Sequence, residues 1–373
     1  MPTRQVASSS QRIKHIDVIK GMSIILVVLG HSHWVLEQSA EANTIGLSFR
    51  MPLFFFASGI FFQPNMPFGQ LFWGKLDALV KPYAVTLLLL APYQLWLLSE
   101  SAHKVLVGIA YGNGETIIWS PMWFLPHLFV VFLFSWGLLR LTKLEHASWQ
   151  RQSLVMTLLL VSGYAFTMQL WPYLVNNLAP NANWYGNDLV RLGLPFDVDI
   201  VMLSSFFFLL GFLLKPHVVH FRFRLWPFVA VLLFFVAMHA RFDYALHFFG
   251  RRYDHVLWTT LIALAGIYTV IGLAWFASQQ PVLERIISFV GYNSLFVLIF
   301  HWYLQQKAYS VLVYPLGMVF ANVMGAILAI IGSLVFAAII RSNPLTALLW
   351  LPQKTRQQLA VRRQGAHSPH HIK

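Results

Sequence analysis

Read along the chain, apolar residues come in long runs separated by short polar stretches, without the one-sided alternation of a water-facing helix or strand. A helix needs about 20 mostly apolar residues to cross the hydrocarbon core of a bilayer. Runs of that kind are expected near 16–36, 45–62, 78–98, 122–140, 153–172, 196–214, 225–243, 256–277, 287–305 and 315–340. The pattern therefore predicts an all-α polytopic membrane bundle of about ten helices, with nine or eleven as the neighbouring counts. Residues 1–345 form the transmembrane domain and 346–373 a basic, disordered tail. Met1 to His15 is polar and no small-residue cleavage site follows, so the first run is expected to stay as a span rather than be removed as a signal peptide.

Composition agrees with this pattern. Hydrophobic residues make up 58% and charged residues 10%, against roughly 25% charged in a soluble domain. The formal net charge of +13 would suit nucleic acid, but the cations fall in clusters between apolar runs, as topology signals do. Nucleic-acid binding is thereby excluded. With an inside N-terminus, most of the 26 Lys and Arg share that side, which places both termini in the cytoplasm. The chain has no cysteine, so disulfides and thiolate chemistry are ruled out. No internal repeat is evident, which weighs against a transporter built from repeated halves. The connections near 99–121 and 173–195 are long enough to form a lid or an acceptor surface. The tail histidines His367, His370 and His371 suit a plain solvated tail better than a metal site.

Ionisable groups inside a span are costly and so are candidates for function. The first run carries Asp17, Lys20 and His31. Lys20 and His31 are eleven residues apart, about three helical turns, which puts them on nearly one face roughly 16 Å apart along the axis. A cation at the mouth can hold phosphates, and an embedded imidazole can take a hydroxyl proton or carry an acyl group briefly. The alternative is a topology anchor and an interhelical hydrogen bond. His33 faces elsewhere and cannot share a metal with His31 on a regular helix.

The segment Ile16-Asp17-Val18-Ile19-Lys20-Gly21, continuing through Val27-Val28-Leu29-Gly30-His31, resembles the opening of the acyltransferase-3 family of bacterial inner-membrane acyltransferases. Arg50-Met51-Pro52-Leu53-Phe54-Phe55-Phe56-Ala57-Ser58-Gly59 is similar to that family's second helix, and closest to the sugar O-acetylases that resemble fucose 4-O-acetylase. Trp123-Phe124-Leu125-Pro126 and Gly291-Tyr292-Asn293-Ser294-Leu295, ending at His301, resemble its later motifs. The resemblance implies an inner-membrane enzyme that moves an acetyl group from cytoplasmic acetyl-CoA to a sugar hydroxyl. The acceptor would be an exopolysaccharide, a lipopolysaccharide or a lipid-linked precursor, and the enzyme would work beside polysaccharide assembly machinery. Acetyl-CoA would be a substrate, with no permanently bound cofactor. By position, His31 would be catalytic, as general base or as acyl carrier, Lys20 its basic partner, and Asp17 would orient that end. Many of the sugar O-acetylases have His where this chain has Arg50. Arg cannot act as a base, so Arg50 is read as a ligand of an acceptor oxygen or anion.

Other polar positions complete the expected site. Lys75 and Lys81 stand where the family carries a basic loop and would hold the donor's diphosphate, with Asn293 and Ser294 presenting backbone N–H groups to it. Trp123, His127, Asp188, Arg191, Asp197 and His301 would bind the acceptor, Asp199 belonging to the same acidic cluster. The cluster could instead pair with Arg191 and Arg50. Arg241, Arg251, Arg252 and Asp254 could assist with an anionic glycan. A transporter or flippase of a lipid-linked sugar would explain spans and buried charge equally well, but not four motifs in order; a structural or sensory membrane partner would keep its function on loss of the polar stripe.

Overall fold

The computed structural model describes residues 13–179, 183–184 and 187–366. The described chain is almost wholly helical, its strands being two short antiparallel pairs, Asn183–Trp184 with Asn187–Asp188 and Leu246–His247 with Arg252–Tyr253. Among the described residues, six helices are long and apolar enough to cross a membrane: Phe68–Trp96, Ser120–Thr142, Trp149–Leu178, Pro195–Leu213, Val256–Gln279 and Ser294–Ser342. Leu225–Arg241 is apolar but shorter. The protein is thus a helical membrane bundle.

The first helix, α1 (Lys14–Leu29), ends seven residues short of the run expected from hydropathy, where the chain turns at Gly30 and His31. The second, α2 (Ala40–Ile60), opens with a Ser39 side chain that accepts from Ala42 N–H, the usual way of satisfying an orphan donor. The helical run Ser294–Ser342 contains one residue that is not helical, Gly317, at φ 73 and ψ 167. That conformation is open to glycine and strained for other residues. There the chain doubles back: Phe300 stacks on Phe336 at 4.9 Å, and a Cβ on Gly332 would meet the Leu304 side chain at 2.9 Å.

Close approach of α1 to the helix Pro281–Tyr292 depends on two motif glycines. A Cβ on Gly21 would lie 2.0 Å from the Ile287 carbonyl oxygen, and one on Gly291 would lie 2.7 Å from Gly21 N. Two segments far apart in sequence are therefore pressed together at the mouth of α1. The helix Pro344–Trp350 crosses the boundary expected at 345, and the segment expected to be a disordered tail contains the helix Gln353–Ala366. Residues 367–373, with the tail histidines, lie outside the described residues, as do Arg4 and Arg12.

Candidate active site

His31 leaves α1 in a turn closed by its own N–H to the Val28 carbonyl, at 3.1 Å. Its ring lies 5.3 Å from that of His301, centroid to centroid. His301 is wholly buried, and its Nδ1 faces two backbone carbonyls, Val297 at 2.7 Å and Leu298 at 3.0 Å. Since both are acceptors, Nδ1 carries the proton and Nε2 is left as a lone pair. That Nε2 is buried without a protein partner. One turn further along the same helix, Gln305 is buried with both amide atoms unpartnered.

Arg50 reaches this pair from α2. Its guanidinium occupies the space that a side chain on Gly30 would fill, a Cβ there falling 1.2 Å from Nη1. Arg50 is buried, and its Nε and Nη1 have no hydrogen-bond partner. Buried polar groups are ordinarily paired. Three side chains in one place with open hydrogen-bonding capacity mark a site built for a polar ligand.

A third imidazole closes the site from the connection between Leu225–Arg241 and Val256–Gln279. His247 stands on the short strand pair, flanked by the buried Leu246 and Phe248, and Phe248 packs on Phe55 at 5.4 Å. His247 acts electrostatically on His31 and feels Arg50. Burial first, and then the Arg50 charge, push the His247 imidazole down to about 4, so it is neutral at physiological pH.

The hairpin that bears His247 is pinned by Arg251. Its guanidinium donates to Asp197 at 2.6 Å and to Asp199 at 2.8 Å, and both carboxylates are fully buried. Asn113 Nδ2 adds a 2.6 Å bond to Asp197, and Leu194 N–H donates to Asp199 at 2.8 Å. Asp197, Phe196 and Arg251 all hold positive φ, of 54, 56 and 50. Each such residue costs about 1 kcal/mol or more, and this network offsets that strain. Asp197 is therefore engaged in pinning the hairpin, and not with Arg191 or Arg50.

His127 is fully buried, its Nδ1–H donating to the Phe196 carbonyl at 3.0 Å and its Nε2 accepting from the Ser204 hydroxyl at 2.8 Å. Both nitrogens being used, it holds Ser120–Thr142 to Pro195–Leu213. Trp123 is buried against His127 and Phe249, at 5.6 and 6.0 Å. Asp188 is exposed and caps Val190 N–H at 2.8 Å, while the exposed Arg191 pairs with Glu115 at 2.9 Å. Arg191 nonetheless acts electrostatically on His247. Trp119, not anticipated, donates to Ile299 O at 2.7 Å and braces the His301 helix.

At the other end of α1 a cavity of about 360 Å³ is lined by Lys20, Lys75, Arg341 and Ser294 among aromatic and aliphatic side chains. Its inner wall includes Phe54, Phe124 and Leu298, and Leu298 is one turn before His301. Lys75 sits 3.5 Å over the Phe132 ring. Asn293 is buried, its side chain accepting from Arg341 at 2.5 Å and its own N–H donating to the Phe289 and Val290 carbonyls at 3.2 and 3.1 Å. Asp17, one turn before Lys20, acts on its charge. Lys81 does not line this cavity: it pairs with Asp77 at 2.6 Å and donates to Leu351 O at 2.7 Å. Sequence reasoning missed His247 and Arg341. His247 sits in a connection with no periodicity to mark it, and Arg341 reads as a plain membrane-edge cation.

A basic cavity at one end of α1, with Leu298 in its wall one turn before the buried His301, and a cluster of imidazoles with Arg50 at the other end suit a membrane-embedded group-transfer enzyme. The acyltransferase-3 family, described as an acyltransferase domain, matches residues 13–342, and the chain belongs to it. The protein is a membrane acyltransferase. No curated protein and no solved structure matches the chain.

Proposed function

We propose that the protein is an O-acetyltransferase of the bacterial inner membrane that moves an acetyl group from cytoplasmic acetyl-CoA to a sugar hydroxyl. The acceptor class is an exopolysaccharide, a lipopolysaccharide or a lipid-linked precursor. The observation that carries this reading is the His31–His301 pair, 5.3 Å apart, with Arg50 beside it and open hydrogen-bonding capacity on His301 and Arg50. The likeness of the second helix to sugar O-acetylases supports the acceptor class.

The chemistry follows from these groups. The thioester reaches inward from the basic cavity, its phosphates held near Lys20, Lys75 and Arg341. His31, with His301 beside it, takes the proton of the acceptor hydroxyl. The oxygen attacks the thioester carbonyl, and Arg50 stabilises the oxyanion of the tetrahedral intermediate. The C–S bond then breaks, and the imidazolium returns its proton to the coenzyme A thiolate. Products are the sugar acetate and coenzyme A, with charge and protons balanced.

Ten spans with both termini cytoplasmic suit this reading. The six long apolar helices, with Ser294–Ser342 counted twice because it doubles back at Gly317, join α1, α2 and Leu225–Arg241 to make ten. The cations of the donor cavity then face the cytoplasm, where acetyl-CoA is.

The test is glycan O-acetyl content, read by NMR, in cells carrying the wild type, a deletion, or an equally expressed His31→Ala. Loss of acetyl groups in both mutants while polymer is still exported supports the reading. Persistent acetylation in the deletion, with export lost, would overturn it in favour of a flippase.

A further inference from the structure

The residues that follow the family-matched domain do not hang free. Leu351 is buried at 2% exposure. Its carbonyl accepts from Lys81 Nζ at 2.7 Å, Gln353 N–H donates to Asp77 Oδ2 at 2.6 Å, and Trp350 Nε1 donates to Thr86 Oγ1 at 3.0 Å. Asp77 and Lys81 are themselves an ion pair one turn apart, at 2.6 Å. Together they clasp the backbone of 351–353 from both sides, one charge on a carbonyl and the other on an N–H.

The clasped segment is wall, not appendage. Pro352 and Thr355 line the 360 Å³ cavity of Lys20 and Arg341 and also a second cavity of about 660 Å³ beside it. The two cavities share Lys75, Ala78, Pro352 and Thr355, and the outer one is lined in addition by Lys354. Four cations, Lys20, Lys75, Arg341 and Lys354, therefore face one continuous space. Among the described residues its one lining carboxylate, Asp77, is already paired with Lys81. Arg341 is held by Asn293 and lies over the Tyr292 and Phe296 rings at 5.2 and 5.1 Å. An elongated space with cations spaced along it fits a ligand carrying several phosphates, not a neutral sugar.

We infer that the C-terminal strap 351–355, clasped by Asp77 and Lys81, is the outer wall of the donor site, and that Lys354 contacts a phosphate of the coenzyme A thioester. This rests on the acetyl-CoA reading given above. At Asp77 charge and clasp act in opposite directions. Removing its carboxylate makes the cavity more positive, which by itself tightens an anion. Releasing the strap removes a wall, which loosens it.

The experiment is calorimetric binding of unacylated coenzyme A, and of phosphate-free pantetheine, to the purified full-length protein in detergent. Wild type is compared with Lys354→Glu and Asp77→Asn, and thermal unfolding checks that each variant is folded. Lys354 is exposed, so its reversal spares the fold. Expected is a rise in Kd for coenzyme A of about tenfold in both variants, with pantetheine binding unchanged in Lys354→Glu. If wild type binds coenzyme A and both variants bind it as tightly, the strap inference is overturned while the donor reading stands. Tighter binding by Asp77→Asn overturns the clasp in the same way. If wild type binds no coenzyme A, the donor reading falls and the inference with it.

Discussion

Gly30→Ala isolates Arg50 without touching a polar group. The backbone at Gly30 has φ −70 and ψ −11, which alanine adopts freely. The added methyl would lie 1.2 Å from Arg50 Nη1, 2.2 Å from Cζ and 3.0 Å from Nε. Ordinary contact between such atoms is about 3.5 Å or more, so the guanidinium must retreat by about 2 Å. Because the obstructed atoms are the far end of a flexible side chain, folding is little affected, whereas a misplacement of about 1 Å can already cost 10²-fold in rate. Loss of one oxyanion donor costs about 10²–10³ in kcat, and that is the expected fall. The assay is transfer of labelled acetyl from acetyl-CoA to isolated glycan by the detergent-purified enzyme, with thermal unfolding alongside. Gly46→Ala is the matched control, its Cβ lying 3.6 Å from the same Nη1, an ordinary contact, and it should keep near wild-type rates. Full activity in Gly30→Ala, or an equal fall in Gly46→Ala, would refute the role given to Arg50.

Three further outcomes are expected. Arg251→Met strands two buried carboxylates, which should cost about 3–5 kcal/mol, seen as a large drop in unfolding temperature; Asp197→Asn, which leaves Asp199 on Arg251, should cost less. His127→Gln should lower stability more than it lowers the rate per folded molecule, because both ring nitrogens are used between helices, whereas His31→Gln should abolish transfer in a folded protein. The His247 imidazole, pushed down to about 4 by burial and then by Arg50, binds a proton more readily unfolded than folded. Its contribution to stability is therefore full above pH about 6.5 and is lost as pH falls towards 4, by up to about 1.4 kcal/mol per pH unit. His247→Gln should flatten that acid limb in thermal denaturation, and an unchanged limb would show that His247 is not the group responsible.

The parts of this protein legible in its sequence are those decided by local rules. Length and apolarity determine that helices cross a bilayer, because lipid leaves backbone polar groups no other partner. Helical period carries α1 from Lys20 towards His31, but the helix ends at Leu29 and His31 lies in the turn beyond it, so its direction is set by the turn and not by the period. Motif order marks the chain as an acyltransferase.

Pairing of the charges was not legible. Asp197 and Asp199 meet Arg251, some fifty residues on, rather than Arg191 or Arg50, and nothing local favours one arginine over another. Lys81, expected on the donor, is drawn to Asp77 and the Leu351 carbonyl. His247 enters the site from a hairpin with no repeating pattern, and the strap enters from beyond the family domain. Helices carry their geometry with them, while the partners of a loop, a terminus or a buried charge are chosen only when the bundle closes and removes the water that would otherwise serve any of them.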